Sequence, residues 1–146
     1  MPHYCQGALI TCEDFRLHQR KDGRNYIAEF IKNLAIDCDL ITRAGAVQDL
    51  VRPESRDFTT CLLRDTRVSR KLHEAEFVYL VGHEDCGAYS SLGFSTREEE
   101  LNQHFQDLSE ARKTIEANFP GTQVLEFFAY LQEGTEDVYE IKALKT

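Results

Sequence analysis

Two short motifs carry the residues in this chain best suited to chemistry. Cys12-Glu13-Asp14-Phe15-Arg16 and Gly82-His83-Glu84-Asp85-Cys86-Gly87 lie about seventy residues apart, and each follows an apolar, strand-like run. Cys12, His83 and Cys86 offer two thiolates and one imidazole, three protein ligands for a zinc ion. Three protein ligands leave a fourth tetrahedral position for water, which separates catalytic zinc sites from closed structural ones. Taken singly the signals are weak. A lone Cys12 reads as a core residue, His83-x-x-Cys86 as a buried pair in a turn, and Asp14 with Arg16 as a surface ion pair. Their joint occurrence after two strands, in this order, points to a metal.

The elements that must position these residues alternate along the chain. Ala8 to Cys12 reads as a first strand. Asn25 is a helix cap, after which Tyr26, Ile27, Phe30, Ile31 and Leu34 recur at helical spacing. Asp39 to Thr42 reads as a second strand, and Pro53 opens a helix with an apolar stripe of Phe58, Cys61, Leu62, Val68 and Leu72. Phe77 to Val81 is apolar throughout, as in a strand buried on both faces of a parallel sheet. Thr96 and Glu99 form a capping box. The helix they open carries Leu101, Phe105, Leu108, Ile115 and Phe119 on one face. Its other face, with Glu98, Asp107, Glu110, Arg112 and Lys113, is expected in solvent. Val124 to Leu131 is a fourth strand, and Val138 to Leu144 a fifth at an edge.

This order predicts a three-layer α/β domain spanning residues 1–146, with a mostly parallel sheet. With strands in the order 2-1-3-4 and the fifth at the edge, strands one and three are neighbours. Cys12, His83 and Cys86 then meet at the topological switch point, outside the carboxyl ends of the strands, where ligand crevices form.

The two motifs resemble the signature of the β-class carbonic anhydrases, Cys-x-Asp-x-Arg followed by His-x-x-Cys. After strand two, Thr42-Arg43-Ala44-Gly45-Ala46 keeps the Ala-Gly centre of that family's usual stretch, and the tail resembles its terminal edge strand. The resemblance implies a β-carbonic-anhydrase-like fold with Zn²⁺ on Cys12, His83 and Cys86. It also implies a catalytic pair, Asp14 facing the open position and Arg16 holding Asp14 by paired hydrogen bonds. The implied reaction is reversible hydration of carbon dioxide to bicarbonate, by hydroxide made available on zinc. Two arrangements stay open: water on the metal, or Asp14 itself in the fourth position. Hydrolysis of COS or CS₂ and a non-catalytic zinc-binding relative are the alternative functions. The chain opens almost at strand one, without the family's N-terminal arm, and a homodimer or higher homo-oligomer is expected.

Composition narrows the rest. Hydrophobic residues make up 42% and charged residues 29% of 146, ordinary for a globular protein. The net charge of −8 argues against nucleic-acid and anionic-membrane partners, which need a basic face. No apolar run approaches a membrane span, and no secretory signal opens the chain, so a cytoplasmic location is expected. Five cysteines at irregular spacing do not suggest a disulfide framework. Cys5, Cys38 and Cys61 read as small buried apolar residues.

Overall fold

The computed structural model describes residues 2–144. Five strands, β1 (Gly7–Cys12), β2 (Cys38–Arg43), β3 (Phe77–His83), β4 (Gln123–Leu131) and β5 (Tyr139–Ala143), form one sheet in the order β2-β1-β3-β4-β5. The first four are parallel and β5 runs antiparallel to β4. The helices are α1 (Tyr26–Leu34), a single turn α2 (Gln48–Val51), α3 (Arg56–Leu72) and α4 (Arg97–Asn118). The expected α/β class and strand order are both present.

Alternation along β3 explains how the layers stack. Side chains of successive strand residues point to opposite faces. Val78 and Leu80 enter a core with Leu62 of α3 and Leu108, Ala111 and Ile115 of α4. Tyr79 and Val81 enter the opposite core, with Tyr26, Ile27 and Phe30 of α1. Both faces are covered, so the strand is apolar throughout rather than alternating. In α1, Asn25 accepts a hydrogen bond from the Ala28 amide at 2.9 Å, the cap expected from the sequence. In α4, Thr96 accepts from the Glu99 amide at 3.1 Å, and Glu98, Glu99 and Glu100 complement the helix dipole.

Several expectations need correction. Pro53 does not open α3: Ser55 caps it by accepting from the Asp57 amide, and Pro53 lies in the link from α2, a turn too short to show as periodicity. The buried stripe of α3 is Leu62, Thr66 and Ser69, while Phe58, Cys61 and Leu72 are exposed, because only one narrow line of this polar helix touches β1 and β2. Asp107 belongs to no solvated face. It is buried, paired with Arg52 and bonded by the Tyr89 hydroxyl at 2.7 Å and by Gln103 at 3.0 Å. Cys5 and Cys38 are only half-buried.

Candidate metal centre

Three backbone devices bring the sulfur and nitrogen donors together. Cys12 is the last residue of β1 and His83 the last of β3, inside the strand rather than in the loop beyond it. Parallel pairing of β1 with β3 sets these ends side by side. Cys86 follows a tight reversal in which Asp85 takes a left-handed conformation (φ 61°), one that Asp tolerates better than most residues. All three side chains are buried, and their donor atoms lie within 4.8 Å of one another. The sulfurs of Cys12 and Cys86 are 3.9 Å apart. Two sulfurs, each about 2.3 Å from a tetrahedral zinc, stand about 3.8 Å apart.

The electrostatics and hydrogen bonding fit a cation. His83 donates from Nδ1 to the Glu84 carbonyl at 2.9 Å, which leaves Nε2 facing the sulfurs as a buried atom with no hydrogen-bond partner. A backbone carbonyl accepting from one ring nitrogen is a usual way in which a metal-ligating histidine is oriented. Without a cation the two thiols oppose each other. The hydrogen bond with Cys86 lowers the pKa of Cys12, while that same contact and burial raise the pKa of Cys86. A divalent cation between them removes the conflict, since both sulfurs can then be thiolates.

The Thr42–Ala46 loop supports Cys12 directly. The Gly45 amide donates to Cys12 Sγ at 3.4 Å. Gly45 has φ +79°, a conformation that strains any other side chain, and a Cβ there would also crowd Gln48 Cβ at 3.0 Å and Ala88 Cβ at 3.2 Å. A cleft of about 540 Å³ is lined in part by Glu13, the residue after Cys12, and by Arg43, Ala44, Ala88 and Leu92.

Asp14 caps a short 3₁₀ turn, Phe15–Leu17, and is held by Arg16. Its Oδ1 accepts from the Arg16 amide at 2.9 Å and Nε at 3.1 Å, and its Oδ2 accepts from Nη2 at 2.8 Å. Burial works against ionisation of Asp14, but the Arg16 hydrogen bonds outweigh it and hold the carboxyl below its ordinary value. Asp14 Oδ2 lies 3.9 Å from His83 Nε2, so the pair faces the three donors. Arg16 also donates from Nη2 to the Asp85 carbonyl at 2.8 Å, and from Nη1 to the Glu136 carbonyl at 2.8 Å and Asp85 Oδ2 at 3.0 Å. One guanidinium thus ties the turn after β1 to the Cys86 loop and to the β4–β5 connection.

The structure brings together all five residues singled out in the sequence, Cys12, Asp14, Arg16, His83 and Cys86. It adds three supports that sequence reading missed. Tyr139 of β5 donates its hydroxyl to the Glu84 carbonyl at 3.1 Å and packs its ring edge-on to His83 at 5.8 Å. Glu84, buried and paired with Arg97, accepts from the Leu131 amide at 2.7 Å. Glu100 of α4 accepts from the Asp85 amide at 2.5 Å. Glu84 and Asp85 are the unspecified positions inside His-x-x-Cys, a place where such a signal could have been sought.

Comparison with known proteins bears on the family and the fold. A family model described as "Putative carbonic anhydrase" matches residues 3–139. An uncharacterized protein of Rickettsia bellii (strain RML369-C) is 30% identical over 138 residues, covering 90% of this chain and 80% of that protein. One from Rickettsia conorii (strain ATCC VR-613 / Malish 7) is 28% identical over 139 residues, covering 91% and 72%. In fold, the chain is similar to a carbonic anhydrase of Streptococcus mutans, with TM-score 0.54 and 15% identity over 99% of this chain and 84% of the other. It is also similar to a carbonic anhydrase from Glaciozyma antarctica, with TM-score 0.52 and 15% identity over 89% and 79%. The signature motifs, the sheet order and a family match covering nearly the whole sequence lead to one conclusion: the chain belongs to the carbonic anhydrase family.

Proposed function

We propose that this protein catalyses the zinc-dependent, reversible hydration of carbon dioxide to bicarbonate and a proton. The observation that carries this reading is the Asp14–Arg16 pair, placed 3.9 Å from the free nitrogen of a buried Cys–His–Cys cluster. Holding a metal needs no such pair. Cys12 Sγ, Cys86 Sγ and His83 Nε2 would hold the zinc. Bound there, zinc supplies a Lewis acid that makes hydroxide available from water near neutral pH.

The chain's own residues account for the rest. Asp14, ionised and acceptor-only, takes a hydrogen bond from the nucleophile and so fixes which lone pair points at the carbon of CO₂. Arg16 fixes Asp14 in turn, because a planar fork grips a carboxylate in one orientation. With Oδ1 and Oδ2 both engaged by Arg16, Asp14 is held back from the donor cluster, which favours the arrangement that leaves the fourth position to water. Tyr139 and the Glu84 carbonyl hold the His83 ring, and Gly45 holds the Cys12 sulfur.

We also place the protein in the cytoplasm as a homo-oligomer. Two buried thiols 3.9 Å apart must stay reduced to bind metal, which suits a reducing compartment. Phe15, 73% exposed beside the Asp14–Arg16 pair, is apolar surface for a second copy to cover. Among the described residues no helix is long and apolar enough to cross a membrane. Stopped-flow measurement on zinc-loaded protein, with CO₂ and separately with COS, tests the reaction. Faster CO₂ hydration is expected. COS hydrolysis without CO₂ hydration would reassign the substrate, and neither activity would leave metal binding alone.

A further inference from the structure

At the opposite end of β1 from Cys12, a second group of donors converges. Cys5 precedes β1, Asp39 lies in β2, and His73 is the C-cap of α3. Their donor atoms lie within 4.8 Å of one another and all three residues are half-buried. At about 3.3 Å per strand residue, Cys5 and Cys12 are roughly 20 Å apart, so the two clusters share no ligand.

Donors gather around a single oxygen. Asp39 Oδ2 accepts from Ser69 Oγ at 2.6 Å and from His73 Nδ1 at 2.7 Å. Cys5 Sγ lies 3.8 Å from that oxygen and 3.4 Å from the Gly7 carbonyl, either of which can accept its one hydrogen. Convergence of donors on one carboxylate oxygen is also the geometry that a single cation can take over from the protons. The backbone fixes the positions independently of any ligand. The Cys5 amide donates to the His73 carbonyl at 3.1 Å, and the Gln6 amide to the Asp37 carbonyl at 3.0 Å. Ser69 keeps its bond to the carboxylate in either case and so orients it, as outer partners of metal-binding carboxylates do.

We propose that Cys5, Asp39 and His73 form a second metal site, for a divalent cation of the zinc class. A thiolate and an imidazole disfavour calcium and magnesium, which take oxygen ligands. One thiolate and one carboxylate balance a 2+ charge, and water completes the coordination at this half-exposed position. Binding balances simply: the Cys5 thiol loses its proton to solvent, and His73 shifts its ring hydrogen from Nδ1 to Nε2 to free a lone pair. One proton leaves per ion bound. The site clasps the N-terminal segment to β2 and α3, and its occupation stabilises the fold by mass action.

Equilibrium dialysis with zinc alone, and with cobalt(II) as a spectroscopic probe, tests this. The parent is expected to bind two zinc ions per chain, and Cys5→Ser and His73→Gln one each. A Cys12→Ser/Cys86→Ser double variant is expected to bind one cobalt with thiolate-to-cobalt charge-transfer absorption and to gain thermal stability with zinc. If that double variant does not fold, the two single variants decide the matter. Cys5→Ser and His73→Gln proteins that bind as much zinc as the parent would overturn the proposal. So would a parent that saturates at one zinc, lost only on Cys86→Ser. A single zinc lost only on Cys5→Ser would instead overturn the Cys12–His83–Cys86 centre, so the two failures are distinguishable.

Discussion

Each donor in the Cys12–His83–Cys86 cluster has its own support, and the supports differ in kind. Cys12 is held by a backbone amide, His83 by a carbonyl, and Cys86 by a loop that Arg16 and Glu100 pin. Tyr139→Phe isolates one of them, because it removes only the hydroxyl that fixes the Glu84 carbonyl behind His83. Zinc affinity is expected to fall about tenfold, the lower end for outer partners of a ligand, measured by competition with a chromophoric chelator. On the proposed zinc reading, Cys86→Ser removes a ligand and is expected to cost one zinc equivalent per chain by elemental analysis. The five residues that the structure brings together were legible in sequence because the proposed zinc chemistry calls for those types at that spacing. Tyr139 was not, because nothing in its local sequence marks it and only the β4–β5 pairing brings it to His83. Cys5 reads in sequence as a small buried apolar residue but is half-buried, since a cysteine's surroundings, rather than its type, decide how far it is covered.

Among the elements, β3 carries the most weight. Its side chains feed both cores, and its last residue is His83. Leu80 is wholly buried, so Leu80→Ala is expected to destabilise the protein by about 2–5 kcal/mol in urea denaturation. Leu40, on the edge strand β2 and 47% exposed, provides the contrast: Leu40→Ala should stay within about 0.5 kcal/mol. The strands were legible because apolar runs of this length fit a covered parallel sheet. The helices were read less well. Asp107 sits among charged neighbours in α4, and sequence could not show that Arg52 and Tyr89 reach it from other elements. Burial opposes its ionisation, yet the hydrogen bonds from Arg52, Tyr89 and Gln103 prevail and lower its pKa. A carboxyl held below its unfolded value, about 3.9, contributes stability that is fully present above that pH and lost as pH falls through the folded value. The parent should therefore lose stability steeply below about pH 4. Asp107→Asn should be less stable at neutral pH and decline less over that acid window, as followed by circular dichroism.

For the whole molecule, the acidic surface and the exposed apolar residues near the site set its partners. A net charge of −8 leaves little reason to bind polyanions. Phe15 beside the Asp14–Arg16 pair, with Phe58 and Leu92 lining the neighbouring cleft, is apolar surface of the kind a subunit contact covers. Light scattering is expected to show at least a dimer, and Phe15→Ser to shift it toward monomer. A parent that stays monomeric at high concentration would remove the subunit contact from this picture. The general plan of the sheet was legible from the order of the elements, whereas the surface was not, because exposure depends on which helix faces meet strands.

The proposed reaction rests on the Asp14–Arg16 pair acting beside the Cys–His–Cys cluster. Stopped-flow CO₂ hydration by zinc-loaded parent and Asp14→Asn, with zinc content measured on the same samples, addresses it most directly. The parent is expected to hydrate CO₂ well above the buffer rate. The variant is expected to keep its zinc, since Cys12, His83 and Cys86 are untouched, and to lose activity by about 10²-fold or more. A parent no faster than buffer, or a zinc-loaded variant as fast as the parent, would contradict the account.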